Sequence, residues 1–410
     1  MAIRILHTSD WHLGRQLYGR RRSSEYSAFL SWLHETIRDE QIDVLLVSGD
    51  IFDTTTPGAN VQREYFEFLG KLSETGCSHA VIISGNHDSP VLLGAPAALL
   101  KYFNIHVVTA REEALLLENR HGSPMLGVIA VPFLHDKDIR LSSELETSQD
   151  KMQAYHEAVA ARFRSCERQM LEILDGRDIP VVGMAHLFTA GGATVDGDGV
   201  RDLYVGSLSH ISPSVFPAAA CYMALGHLHV PQCVGGMENI RYSGSPLPMG
   251  FGEAAQRKQV CIADLEAGQP PDVKTLEIPV FRHLVRICGD LRQIEERLSI
   301  LSSDAPTAKA LPTWIEIDYD GDEIIDDLSH RIERMERPRT TMEIIAVKNL
   351  RKAQAILRQQ EQAQNLEFMT PIQVFKRCME DNGIDQCQRT GLQAAFAEIY
   401  HSVLTCGSEE

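Results

Sequence analysis

The stretch ILHTSDWHLGR, Ile5 to Arg15, begins in a short β-branched run, Ile3 to Leu6, and ends in a polar cluster, Asp10-Trp11-His12. The same form recurs four times. DVLLVS (Asp43 to Ser48) runs into Gly49-Asp50 and on to Asp53, and HAVIIS (His79 to Ser84) runs into Gly85-Asn86-His87-Asp88. IPVVGMA (Ile179 to Ala185) ends at His186, and CYMAL (Cys221 to Leu225) ends at Gly226-His227-Leu228-His229. Runs this short and this uniformly apolar read as buried strands rather than surface helices. Between the first two, Ser24 to Asp39 places Phe29, Leu33 and Ile37 on one helical face and supplies the crossover that a parallel strand pair needs. The pattern predicts an α/β fold of layered sheets covered by helices.

Bulk properties narrow the setting. A chain of 410 residues predicts one large domain followed by smaller ones. The 44% hydrophobic and 23% charged fractions are those of a globular protein, and no apolar run reaches bilayer length. The opening MAIRILHTSD lacks the long apolar region of a signal peptide, so a cytoplasmic location is expected. The nine cysteines are odd in number and scattered, with no C-x-x-C pair, which argues against a thiolate metal site. A net charge of -17 runs against an extended basic face, so any affinity for nucleic acid should be local and shared with a partner.

The pattern changes after about residue 280. Residues 281–348 read as strand (His283 to Ile287), helix (Leu291 to Leu301), strand (Trp314 to Tyr319), helix (Ile324 to Met335) and strand (Met342 to Val347). In the middle strand Ile315, Ile317 and Tyr319 alternate with Glu316 and Asp318, which predicts a half-solvated sheet. From about Asn349 the tail reads as helical, with one helix capped by Thr370, Pro371 and Gln373. Another carries a stripe of Leu392, Ala395, Phe396, Ile399, Tyr400 and Val403, which either docks on another helical protein or packs back on its own domain.

The polar clusters carry the chemistry. In open α/β sheets ligands gather beyond the carboxyl ends of strands, so clusters more than two hundred residues apart can converge. Asp oxygens, imidazole nitrogens and an Asn carbonyl suit manganese, iron or zinc. Asp10, His12, Asp50, Asn86, His186, His227 and His229 are too many ligands for one ion and suit two that share a carboxylate, with Asp50 as the bridge. Two ions about 3.5–4 Å apart activate water and stabilise in-line displacement at phosphorus, so phosphoester hydrolysis is expected. His87, beside Asn86, is the expected catalytic side chain, with Asp88 holding its ring. His7, inside the first strand, reads as a supporting or core histidine.

The blocks D-x-H, G-D, G-N-H-D, H and G-H-x-H, in this order, resemble the calcineurin-like metallophosphoesterases. Within them VSGDIFDT (Val47 to Thr54), VRDLYVGSL (Val200 to Leu208), ALGHLH (Ala224 to His229) and RYSGSPLPM (Arg241 to Met249) look like the bacterial SbcD family of nuclease subunits. The resemblance implies a four-layer αββα phosphoesterase sandwich at 1–280, a small α/β capping domain at 281–348 and a helical partner-binding region at 349–410. It also implies two divalent cations, most simply Mn2+, and an SbcC-type ATPase partner whose coiled-coil base the tail would bind, in a heterotetramer dimerised through the nuclease domain. The implied substrates are double-stranded DNA ends, hairpins and blocked ends. No G-x-x-x-x-G-K-S/T segment is present, so ATP hydrolysis would belong to the partner. Where archaeal relatives have a histidine this chain has Asp53, as the bacterial relatives do, and its role stays open.

Arg15, Arg20, Arg21 and Arg22 follow the first cluster and are candidate DNA contacts, as are Arg331, Arg334, Arg337 and Arg339, which also read as a solvated surface run. Two other functions remain open: a nucleotide phosphodiesterase or phosphatase on the same ligands, and a non-catalytic scaffold tethering a partner to DNA.

Overall fold

A computed structural model describes residues 2–135, 148–189, 211–303, 311–323, 325, 327–335 and 341–350, together with positions 379, 389, 392, 393 and 396. Each apolar run forms a strand. β1 (Ile3–Thr8) leads through a short hairpin, β2 (Gln16–Leu17) and β3 (Arg20–Arg21), to α1 (Ser23–Asp39) and β4 (Val44–Ser48). Next come α2 (Ala59–Lys71), β5 (His79–Ile83), the short helices α3 (Pro90–Gly94) and α4 (Ala97–Lys101), and β6 (Ile105–Val108). A hairpin of β7 (Glu113–Glu118) and β8 (Pro124–Val131) precedes the long α5 (Ser148–Leu174). Then follow β9 (Val181–His186), β10 (Tyr222–Gly226), β11 (Gln232–Val234), β12 (Met237–Tyr242), β13 (Gln259–Leu265) and β14 (Asp272–Glu277).

The strands make two six-stranded sheets, ordered β14-β13-β1-β4-β5-β6 and β11-β12-β10-β9-β8-β7. β1, β4, β5 and β6 run parallel, as do β12, β10, β9 and β8, with antiparallel pairs closing the ends. Strand alternation then assigns the layers. Ile5, Val44, Leu46, Val81 and Ile83 point inward and pack with Val128, Ala130, Val182, Met184, Tyr222 and Ala224 of the other sheet. Leu6, Leu45, Val47 and Ile82 point outward under Phe29, Leu33 and Ile37 of α1 and Tyr65, Phe68 and Leu69 of α2. On the far side Tyr155, Val159, Phe163, Cys166, Met170 and Leu174 of α5, spaced three and four apart, cover Ile129, Val181, Ala185, Met223 and Leu225. This is the four-layer αββα sandwich. Burial on both faces explains why its strands read as continuous apolar runs.

The chain forms two compact units, one of residues 1–286, 302–316 and 336–346, the other of 287–301, 317–335 and 347–410. The later elements are β15 (Leu284–Gly289), α6 (Leu291–Ser303), β16 (Thr313–Tyr319), α7 (Leu328–Met335) and β17 (Met342–Asn349), with sheet order β15-β16-β17. In the second unit Ile294, Leu298, Ile317, Tyr319, Leu328 and Ile332 are buried. The half-solvated sheet expected here is not found, because Glu316 and Asp318 are buried like the apolar residues they alternate with. Glu316 receives Arg286 Nε at 2.6 Å and the Tyr18 hydroxyl, so its charge is paired rather than hydrated. The tail helices, their stripe, Arg337 and Arg339 lie outside the described residues apart from the isolated positions named above. Among the described residues no helix is long and apolar enough to cross a membrane.

Candidate metal centre

The clusters meet at the carboxyl ends of β1, β4, β5, β9 and β10. Backbone bonds join the first two loops: Asp10 N–H donates to Gly49 O, His12 N–H to Asp50 O and Leu13 N–H to Ile51 O, at 2.9–3.0 Å. Asp88 joins the second and third, its carboxylate accepting the N–H groups of Ile51, Phe52 and Gly85 at 2.9–3.1 Å. Burial, with the Asp50 charge nearby, pushes Asp88 up to about 7. The expected contact from Asp88 to the His87 ring is therefore not the one formed. His87 Nδ1 instead donates to the Asp53 backbone carbonyl at 2.9 Å, while the Asp88 carboxylate is engaged by three amides.

All seven expected ligands come together in a closed circuit. His229 Nε2 lies 3.1 Å from His12 Nε2, which lies 3.6 Å from Asp50 Oδ2. Asp50 Oδ2 is 3.5 Å from His186 Nε2, and Asn86 Oδ1 is 3.0 Å from both His186 Nε2 and His227 Nδ1. The His227 N–H donates to Asp10 at 2.9 Å, and Asp10 groups with His12 and His229 on one side and with Asp50 and His186 on the other, all ligand atoms within 4.8 Å. Asp10, His12, Asp50, His186 and His229 are buried, while Asn86, His87 and His227, mostly buried, form the rim.

The donor set fits divalent cations. His186 Nδ1 donates to Ser48 O at 2.9 Å, which leaves its Nε2 lone pair facing the oxygens of Asp50 and Asn86. His12 Nδ1 faces the Asp53 carboxylate at 3.4 Å and His229 Nδ1 faces Glu253 at 3.7 Å; with the Nδ1 protons turned to these carboxylates, the two Nε2 atoms, 3.1 Å apart, present lone pairs to each other. Acceptors turned toward acceptors at these distances need a proton or a cation between them. Burial opposes a charge on His186, but Asp50 beside it prevails and raises the ring to about 9. The same contact holds Asp50 below the usual carboxylate range against the effect of burial. Burial raises Asp10 and lowers His227 to about 3. His7 accepts from the Tyr222 hydroxyl at 3.0 Å and donates to Leu225 O at 3.1 Å, which makes it a core histidine. Burial lowers it to about 3.

The backbone is bent to suit. Asp10, His12 and Asp50 have φ of 54°, 47° and 50°, and His227 has 107°, conformations that Asp and His tolerate better than most residues. The glycines before three clusters serve close approach. A Cβ at Gly49 would lie 2.2 Å from His186 Nδ1, one at Gly85 2.1 Å from Asp50 Oδ1, and one at Gly226 1.8 Å from Ser48 O. Only Gly49 also needs its positive φ, at 89°.

Asp53 acts in three ways: its carboxylate faces His12 and takes Arg15 Nη1 at 3.1 Å, and its carbonyl orients His87. Arg22, a candidate DNA contact, is buried, its guanidinium paired with Glu25 at 2.6 Å and bound to Pro248 O. It is closed to a phosphate. Arg15 is half-buried, Arg20 pairs with Glu343 at 2.8 Å, Arg21 is exposed, and Arg331 pairs with Asp327 at 3.0 Å. Glu253 and Lys258, a buried ion pair behind His229, were not anticipated from the sequence, where GEAAQRK has no motif spacing.

The chain is similar to known proteins over most of its length. Residues 3–192 match the calcineurin-like phosphoesterase family, and residues 280–382 match a family described as the type 5 capsule protein repressor C-terminal domain. The chain is 32% identical over 402 residues to the SbcD component of the Escherichia coli K12 nuclease SbcCD, covering 98% of each. It is 36% identical over 273 residues to the same component of the Bacillus subtilis nuclease, covering 65% of this chain and 67% of that one. With the Rhodobacter capsulatus counterpart it shares 35% identity over 294 residues, 68% of this chain and 70% of that one.

Proposed function

The chain belongs to the SbcD family of SbcCD nuclease components, metal-dependent hydrolases with a calcineurin-like phosphoesterase domain, and from that premise we propose that it cleaves DNA at double-strand ends, hairpins and protein-blocked ends. The observation that carries this reading is the circuit from His229 through His12, Asp50, His186, Asn86 and His227 to Asp10, with lone pairs turned inward. Two divalent cations, Mn2+ for preference, are the proposed occupants, and Asp10, His12, Asp50, Asn86, His186, His227 and His229 would hold them, with Asp50 Oδ2 lying between His12 and His186. Divalent cations, if bound there, would lower the pKa of water and offset the charge of a phosphodiester.

The protein's own groups do the rest. His186 Nδ1 donates to Ser48 O, which sets the tautomer that offers Nε2, and His12 and His229 each have a carboxylate facing Nδ1, which favours the same tautomer. His87 Nδ1 is committed to the Asp53 carbonyl, so Nε2 is the nitrogen available to pass a proton to the leaving oxygen. Arg15 and Arg21 are the proposed contacts to DNA phosphates, with Arg20 free to join them if it leaves Glu343.

The proposed assembly is a heterotetramer with an SbcC-type ATPase, two copies of each chain, in the cytoplasm. Val91, Leu99, Tyr102 and Phe103 on and beside α3 and α4 are 82%, 63%, 88% and 65% exposed, and such a patch supports pairing of two nuclease domains there. The proposed division is nuclease domain 1–280, capping domain 281–348 and partner-binding tail 349–410. The deciding assay offers hairpin DNA and a small nucleotide ester to the purified chain, with and without its partner, in Mn2+. Faster cleavage of the hairpin is expected, and preference for the ester would move the chain to the nucleotide phosphodiesterases.

A further inference from the structure

The buried carboxylate of Glu253 has two faces. Oε2 accepts the Met249 N–H at 3.0 Å and the Lys258 ammonium, while Oε1 meets no hydrogen-bond donor and lies 3.7 Å from His229 Nδ1. Lys258, also buried, donates to the His229 carbonyl at 3.0 Å and to Ser245 Oγ at 3.0 Å, and the Ser245 N–H reaches the same carbonyl at 3.1 Å. One ion pair therefore flanks His229 twice, facing its ring through Glu253 and bonding its backbone through Lys258. Stability alone need not require such a pair, since apolar residues of equal volume often serve as well. What an apolar pair would lack is a negative oxygen behind the imidazole.

Resting on the reading of this cluster as a metal centre, we infer that Glu253, held in place by Lys258, is a positioning residue that keeps His229 in the Nδ1–H tautomer and so strengthens metal binding at Nε2. It parallels Asp53 behind His12 and the Ser48 carbonyl behind His186. Partners of this kind behind ligating histidines typically change metal affinity about 10–100-fold.

The test is calorimetric titration of the full-length, metal-free protein with Mn2+ alone, for the wild type, Glu253→Gln, the double variant Glu253→Leu/Lys258→Met, and His12→Ala. Affinity should weaken about 10–100-fold in both Glu253 variants. Nitrogen NMR of the metal-free Glu253→Gln protein should show His229 in mixed tautomers. The double variant replaces both charges together, so it reports even if a lone Lys258 charge disrupts folding. Wild-type affinity in both Glu253 variants together with weakened binding in His12→Ala overturns the inference and leaves the metal centre intact. Wild-type affinity in His12→Ala as well overturns the metal centre on which the inference rests.

Discussion

His12 and His229 face each other through Nε2 atoms 3.1 Å apart, although 217 residues separate them in sequence, and each has a carboxylate behind its ring. Two lone pairs at that separation repel unless a positive charge lies between them. Mn2+ should therefore stabilise the folded chain by mass action, by about 2.7 kcal/mol at a concentration one hundred times Kd. Thermal unfolding in chelator and in Mn2+ measures this, and equal melting temperatures would count against a cation at this site.

The His186 ring gives the pH dependence its sign. Its folded value of about 9 lies above the ordinary 6.5, so in metal-free protein its contribution to stability is complete below pH 6.5 and is lost as pH rises through about 9. A cation must displace that proton. Mn2+ affinity should climb between pH 6.5 and 9, and titrations in buffers of different ionisation enthalpy should register proton release. His186→Asn should flatten the climb.

His87→Ala should leave metal content unchanged and slow DNA cleavage by about 10²–10⁴-fold, the usual contribution of a positioned proton donor. Metal analysis beside single-turnover kinetics separates the two effects, and undiminished cleavage would remove His87 from the mechanism.

Glycine substitutions should diverge by position. Gly226→Ala forces a Cβ to within 1.8 Å of the Ser48 carbonyl and should cost about 3 kcal/mol or more, whereas Gly70, in α2 with nothing within 4 Å, should gain about 0.5–1 kcal/mol as alanine. Denaturant unfolding of the two variants is the measurement.

The arginines should divide likewise. Arg22→Ala removes one of the two guanidiniums on buried Glu25, leaving Arg282 at 3.1 Å, and should destabilise the fold by about 3 kcal/mol. Arg21→Ala should leave stability alone and lower the salt dependence of DNA binding by about one unit of slope. A stable Arg22→Ala protein with weakened DNA binding would reverse this assignment.

What the sequence made legible was whatever depends on periodicity and strand ends. Apolar runs buried on two faces are unmistakable, and ligands at strand termini converge because parallel strands all end on one edge. What escaped was whatever depends on backbone atoms or on neighbours remote in sequence. The Ser48 and Asp53 carbonyls that set His186 and His87 have no sequence signature, so Asp88, adjacent to His87, drew a role that the Asp53 carbonyl fills. Arg22 reads like Arg20 and Arg21, yet the first turn of α1 carries it inward to Glu25. Glu316 and Asp318 read as a wet face, yet both are buried.

The positive φ angles at Asp10, His12, Asp50 and His227 limit how this centre can be redesigned. Exchanging a ligand for one of different hardness, such as glutamate or cysteine, alters the coordination chemistry and also asks a residue less suited to that conformation to occupy it. If cations occupy the centre as proposed, selectivity among metals would be guarded by main-chain shape as much as by donor type. An engineer wishing to retune it would have to rebuild the turns first.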